Sequence, residues 1–394
     1  MSDSQSTAHS AQLPAFLEKL LDGAGVEWVL LGNEKFIEVA NRGRRPVKAS
    51  LRIPGDTPYY GANNVQDYVE GHTHEGEFVL IAEDGSASLE RYSIQYAVGK
   101  FWANNHVHVI GGKERVNTRF LFHLLSVVNF IPYLSGGGRA KLTKGKLLEI
   151  PIPIPCPDNP EKSLAIQAEI VRILDHFTEL TAELTAELTA RKKQYNHYRD
   201  QLLSFEESEV EWKALGEVAT IGTGSHDTQD AIEDGDYIFY ARGREPLRLN
   251  EFDFDETAII TAGDGAGVGK VFHFAQGKYA LHQRAYRIAP SEVMEPRFVY
   301  HCIASHFYAY IQKASVSSSV TSLRRPMFLN FPIPVPSLAE QARIVAILDK
   351  FDTLTHSISE GLPREIELRQ QQYEYYRDLL LSFRRPESQS EVIA

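Results

Sequence analysis

Cysteine is nearly absent: Cys156 and Cys302 are the 2 in 394 residues, far apart in the chain, which excludes a disulfide framework or a zinc site built on cysteine alone. Long apolar runs are missing too. No run of about 18 apolar residues occurs, and the polar opening MSDSQSTAHSAQLP has neither the basic nor the apolar region of a signal peptide. The expectation is a soluble cytoplasmic protein with no membrane partner. Net positive charge is lacking as well, at −11 with a pI near 5.7. That balance argues against a simple nucleic-acid wrapper, because phosphate contacts rest on Lys and Arg. It leaves room for a local basic patch, or for partner subunits that supply the positive field.

Catalytic settings are also absent. There is no Ser/His/Asp context, no cysteine nucleophile setting and no Asn-Pro-Pro-Tyr-type methyltransferase signature. The glycine-rich stretch GDGAGVGK at residues 263–270 imitates a phosphate loop, but Asp264 stands where that pattern needs glycine and Val271 where it needs Ser or Thr. A strand-joining turn is the expected structure. His72 and His74, flanked by Glu70 and Glu75, lack an identifiable third ligand, so no metal is expected there.

What the chain does have is a repeat. At 394 residues, 43% hydrophobic and 24% charged, it is globular rather than disordered and long enough for more than one domain. Residues 163–177, SLAIQAEIVRILDHF, match residues 337–351, SLAEQARIVAILDKF, at 11 of 15 positions without a gap. Both copies follow an alternating run, IPIPIP at 150–155 and FPIPVP at 331–336, and both lead to a common tail, QYNHYRDQLLSF at 194–205 and QYEYYRDLLLSF at 372–383. Weaker matches precede them in the same order: GVEWVLLG with EVEWKALG, PYYGAN with IFYARG, and GKFWANNHVHVI with GKYALHQRAYRI. Short β-like runs such as FVLIA and TAIITA, bounded by Gly and Asp, point to mixed α/β units of about 120 to 140 residues. The expected division is 1–149, 150–208, 209–330 and 331–394, globular and helical in alternation.

Proline lacks an amide donor, so the Pro-Ile-Pro runs read as extended connectors that stop each globular unit. Ser337 with Glu340 three residues on has the spacing of a capping box, whereas Ile166 in the first copy leaves Ser163 to cap alone. Apolar positions at helical spacing then form a seam: Ile170, Leu174, Phe177, Leu180, Leu184 and Leu188, leading to Tyr195, Tyr198, Leu202 and Phe205. The second copy offers Ile344, Leu348, Phe351, Leu354 and Ile358, then Ile366, Tyr373, Tyr376, Leu380 and Phe383. Each seam needs a partner, and the other copy, running antiparallel, is the expected one. Gly361 and Pro363 interrupt the second helix, which predicts a kink or short break with Pro363 restarting it.

With these motifs the chain resembles the specificity subunits of type I restriction-modification systems. The residues that carry the likeness are the Pro-Ile-Pro entries, EQARIVAILD at 340–349 and AIQAEIVRILD at 165–175. The resemblance implies an α/β (α+β) fold: two pseudo-symmetric target recognition domains separated by a pair of long antiparallel coiled-coil helices. It implies a non-catalytic subunit that reads a split, asymmetric double-stranded DNA target, one half per domain. It also implies two adenine-N6 methyltransferase subunits and translocating restriction subunits as partners. S-adenosylmethionine, ATP and Mg would serve those partners, none being bound by this chain. A self-contained DNA-modifying enzyme and a duplicated DNA-binding regulator are the alternatives.

The repeat LTAELTAELTA at 180–190 acquires a physical meaning in that setting. Four residues lengthen a helix by about 6 Å and turn it by roughly 400°, a net of about 40°, while one base pair turns B-DNA by about 35°. Candidate DNA contacts in the first domain are Arg42, Arg44, Arg45 and Lys48, then Asn63, Asn64, Asn104, Asn105 and His106, and Arg139 and Lys141 in a glycine-rich segment. In the second they are Arg242, Arg244, His282, Gln283 and Arg284, with Arg324 and Arg325 in the equivalent serine-rich segment. Basic side chains suit phosphates and amides suit base edges, although asparagine is also an ordinary turn former.

Overall fold

The computed structural model describes residues 19–136, 140–206, 208–265, 267–314, 322–357 and 359–384. Contacts divide the chain into one unit of Met1–Glu183 with Glu367–Ala394 and another of Leu184–Ile366.

In the first unit the strands are β1 (Val26–Leu30), β2 (Ile37–Val39), β3 (Pro54–Tyr60), β4 (Val65–Val69), β5 (His74–Ala82), β6 (Ile94–Ala103) and β7 (Val107–Gly112). Helices α1 (Thr118–Ser126) and α2 (Lys144–Leu148), strand β8 (Pro151–Pro155) and the start of α3 (Pro160–Leu202) follow. Six strands form one sheet in the order β2-β7-β5-β6-β3-β4, antiparallel except for β3 beside β6. Side chains alternate across it as strand geometry requires. Val79, Ile81 and Ile110 pack on α1 through Phe120, Leu121, Leu124 and Leu125, while Leu80 faces a second cluster with Ala97, Phe101 and Val109.

The second unit repeats this plan. Its elements are β9 (Glu211–Ala214), α4 (Leu215–Val218), β10 (Ala219–Thr223), β11 (Tyr237–Tyr240), β12 (Leu247–Leu249), β13 (Phe254–Ala262), β14 (Phe272–Leu281) and β15 (Ala285–Pro290). Then come α5 (Pro296–Ala314), α6 (Arg325–Leu329), β16 (Pro332–Val335) and α7 (Leu338–His356), with α8 (Gly361–Leu381) running back into the first unit. The sheet order β10-β15-β13-β14-β11-β12 is the first one rewritten, including the single parallel neighbour pair, β11 with β14. Ile259 and Ile288 pack on α5 through Phe298, Cys302 and Phe307. All three weak sequence matches fall on equivalent strands.

Several local expectations change. The Pro-Ile-Pro runs are extended, but they are more than connectors: β8 pairs antiparallel with β1 and β16 with β9. Proline is tolerated because each ribbon has only two strands, so every proline can turn its donor-less edge outward. Ser163 is not the first helix's cap. That helix starts earlier, at Pro160, with the Asn159 side chain accepting from Lys162 N at 3.0 Å, and proline is favoured in the first turn. Ser337 does cap α7, accepting from Glu340 N at 3.3 Å, but the Glu340 carboxylate pairs with Arg343 at 2.6 Å instead of completing a box.

The seams do not serve the opposite helix alone. Ile170 and Leu174 are fully buried in the first domain's core together with Leu380, Leu381 and Phe383 of the chain's tail, and Ile344 and Leu348 are buried in the second domain's core. Helix meets helix further on. In the first unit Phe177 stacks on Tyr376 with centroids 5.2 Å apart; in the second Tyr195 and Tyr198 meet Phe351 at 6.2 and 5.7 Å. Each of these contacts lies within its own unit. Leu180, Leu184 and Leu188 are half-buried, with the threonine, alanine and glutamate of the repeat mostly exposed. Leu354, Ile366 and Tyr373 are half-buried likewise, and Ile358 lies outside the described residues.

The second helix is broken, not merely kinked: α7 ends at His356 and α8 begins at Gly361. Gly361 sits at φ +77°, and a Cβ there would lie 2.5 Å from the Thr353 carbonyl oxygen, a position only glycine fills without strain. The shared motifs on either side stand further apart in the second copy than in the first, and the break takes up the extra chain.

Candidate nucleic-acid interface

In each domain, loops that follow different strands converge, drawn together by backbone bonds. In the first, Arg45 N donates to Ala103 O, Asn104 N to Tyr60 O and Leu142 N to Glu83 O. In the second, His282 N donates to Tyr240 O and Leu323 N to Gly263 O. Among the described residues, segments that carry candidate contacts and lie far apart in sequence are thereby joined within each domain.

Glu83 organises the first cluster. It binds Arg44 at 2.6 Å and Lys141 at 3.0 Å, with His108 at 3.8 Å. Burial pushes its carboxyl up, yet the hydrogen bonds from Arg44 and Lys141 outweigh that and hold it below the ordinary range. Arg44 also donates to Val107 O at 2.7 Å, so its guanidinium is committed to holding loops together. Burial pushes the His108 imidazole below its ordinary value, and its Nε2 lies 2.7 Å from Leu142 O. Asn63 is exposed but braces the loop after β5, donating to Gly85 O and accepting from Ala87 N and Ser93 Oγ. Asn104 is 3% exposed and accepts from His106 N at 2.8 Å, the bond of a turn former. His106 reaches Asp84 at 2.5 Å. Arg42, Arg45, Lys48, Asn64 and Asn105 remain exposed, and the three cations have no ion pair among the described residues. Arg139 lies outside the described residues.

The second cluster uses different side chains for the same task. Asp264 takes Arg242 at 2.9 Å and Arg284 at 3.2 Å, and chiefly the Arg242 hydrogen bond holds its carboxyl low. His282, 1% exposed, replaces Asn104: its Nδ1 accepts from Arg284 N at 2.9 Å. Gln283 donates to Asp227 at 2.9 Å. Arg324 and Arg325 are exposed just before and at the start of α6.

Arg242, Arg244, Asp264 and Lys270 line a 480 Å³ cleft floored by Gly243, Gly265 and Gly267. Lys270 was not foreseen as a contact, because its glycine-rich context was weighed only as a phosphate loop. That loop leads into strand β14, not a helix, so it offers no helix N-terminus for a phosphate. Its signal was simpler: a lysine in the same glycine-rich loop as Asp264, which pairs with the candidates Arg242 and Arg284. His74 is buried, Nε2 2.9 Å from Ala40 O, and His72 faces Glu75 at 3.7 Å. Among the described residues no group of three or more His, Cys, Asp or Glu could hold a metal ion, and no helix is long and apolar enough to cross a membrane.

The family model described as the type I restriction modification DNA specificity domain matches the sequence twice, over residues 26–191 and 207–368. A Haemophilus influenzae chain assigned as a type I restriction enzyme specificity subunit is 46% identical over 93% of this chain and 98% of its own. The EcoR124I/EcoR124II specificity subunit of Escherichia coli is 38% identical over 95% and 99%. Among solved structures, the S subunit of a type I restriction-modification system from M. genitalium shares the fold, with a TM-score of 0.65 at 15% identity over 92% of this chain and 98% of that one.

Proposed function

The chain belongs to the type I restriction-modification DNA specificity family, and from that membership we propose that each of its domains reads one half of an asymmetric bipartite DNA target. The observation that carries this reading is a single sheet plan written twice with unlike loop chemistry. Arg44, Glu83 and Lys141 brace the first cluster; Arg242, Asp264 and Arg284 brace the second. An equal scaffold under unequal side chains suits two readers of different sequence.

The contacts divide by role. In this reading Arg42, Arg45, Lys48, Arg244, Lys270, Arg324 and Arg325 neutralise phosphates, which sets register without reading sequence. Asn64 and Asn105 expose amides that can meet base edges, and Gln283 does so if its bond to Asp227 is exchanged. The internally bonded Arg44, Asn63, Asn104 and His282 shape the loops that carry them. The α3 helix sets the unread gap between the half-sites, one four-residue unit per base pair.

The chain itself is non-catalytic in this reading. It recruits two adenine-N6 methyltransferase subunits, which take the target base out of the stack, and translocating endonuclease subunits. S-adenosylmethionine, ATP and Mg serve those partners in the cytoplasm. Free chain binds DNA weakly, because its net charge of −11 repels the phosphates until partners add positive field. The test is to express the chain with and without its methyltransferase partner and map methylated adenine across genomic DNA. Methylation at one split motif only when both are present is expected. Methylation or cleavage by the chain alone would mark a self-contained enzyme, and tight target binding without a partner would mark a regulator.

A further inference from the structure

Two domains can be spaced by a helix only if neither rolls on it. Hydrophobic burial alone does not prevent rolling, because it is non-directional. The face of α3 that enters the first domain is apolar between its ends, Ile170 and Leu174 being fully buried. On either side of that apolar pair sits a polar, geometrically exacting contact.

At the N-terminal side, Gln167 is fully buried and reads the domain's backbone in both directions: its Oε1 accepts from Asn117 N at 2.8 Å and its Nε2 donates to Arg115 O at 3.0 Å. At the C-terminal side, Asp175 receives Arg119 from α1 through Nε at 2.9 Å and Nη2 at 2.8 Å, and His123 Nε2 at 2.9 Å. Arg119 is itself sandwiched over the rings of Tyr96 and Phe122, at 4.6 and 4.8 Å. His123 is 1% exposed and its Nδ1 has no partner, so the neutral ring with its proton on Nε2 fits the pocket. Burial holds it in that form.

The second domain repeats each contact on α7. Gln341 is fully buried, its Oε1 accepting from Glu295 N at 2.7 Å and its Nε2 donating to Val293 O at 3.1 Å. Asp349 receives Arg297 at 2.6 Å and His301 at 2.7 Å, and Arg297 lies over Phe274 and Tyr300 at 4.9 and 4.7 Å. The recognition loops of the two domains diverge in residue type. The Gln, Asp, Arg and His of these contacts are the same in both domains.

We propose that Gln167 with Asp175, and Gln341 with Asp349, are two-point latches that fix each recognition domain in one rotational setting on its helix, and that this setting makes the assembled complex selective for gap length. The two anchor points stand about 12 Å apart along the helix, so together they resist both rolling and tilting. A charge-assisted bidentate pair supplies the angular precision at one end and a backbone-reading amide at the other. Arg119, His123, Arg297 and His301 are positioning residues; they stand on helices α1 and α5 and not on the recognition loops. The proposal rests on the bipartite reading above.

The test uses the full chain assembled with its methyltransferase partners and duplexes carrying both half-sites at the native gap and at gaps one base pair shorter and longer. Asp175→Asn weakens the ionic anchor with little change of shape, and Arg119→Lys is the milder variant should the first fold poorly. Each is expected to lower the preference for the native gap about threefold or more, with discrimination against a wrong base in either half-site unchanged. Equal loss at all three gaps, leaving their ratio as in the wild type, would mean that these residues only stabilise the fold, and overturns the latch. A wild-type complex indifferent to gap length would instead sink the bipartite reading, and the latch with it.

Discussion

Removing residues 185–188 takes one unit out of a 43-residue helix. The deletion joins Leu184 to Thr189, so the half-buried leucine row closes up and no polar side chain is driven inward. The helix shortens by about 6 Å and loses roughly 400° of winding, a net rotation of about 40°. One base pair fewer between the half-sites demands about 35° and 3.4 Å. Rotation thus agrees to within about 5°, while the axial excess of about 2.6 Å must be absorbed by helix tilt. Genomic methylation mapping in cells expressing the shortened chain with its partner should return the same two half-sites separated by one base pair less. An unchanged gap, or altered bases in either half-site, would refute the ruler.

Replacing Arg42, Arg45 and Lys48 together by alanine should weaken DNA binding by the assembled complex without changing the methylated motif, and lower the slope of log affinity against log salt by up to about 3; a changed motif would show that they read bases. Leu174→Ala should destabilise the first unit by about 2–5 kcal/mol, since the side chain is 0% exposed, and denaturant unfolding of the full chain measures it. Acidification from pH 7.5 to 5.5 should lower the unfolding midpoint. Burial holds His74, His108, His123, His282 and His301 below the ordinary imidazole value of 6.5. Unfolded chain therefore takes up more protons, and the stability present above that value is lost as pH falls. Asp175 and Asp349, held low, keep their contribution throughout that window; a midpoint that rises on acidification would contradict the assignment. Gly361→Ala should lower the melting temperature, because no L side chain fits at φ +77° beside the Thr353 carbonyl.

The duplication, the two domains, the long helices and the break at Gly361 were legible in the linear string, because repeats, apolar spacing and proline act locally and leave periodic traces. Even the equivalence of the strands could be read from short matches such as GKFWANNHVHVI with GKYALHQRAYRI. Tertiary structure alone decided which polar residues are spent on architecture. Asn104 and His282 look nothing alike in sequence, yet each closes the same turn. Arg44 sits in a basic run beside Arg42 and Arg45, but only Arg44 is claimed by Glu83, 39 residues away. The partners of the seam were likewise invisible: periodicity marks a face as apolar but carries no address for what covers it. Ile170 and Leu174 went to a domain core and Phe177 to Tyr376. Local spacing determines what an element is; contacts distant in sequence determine what it faces, and function resides in the second.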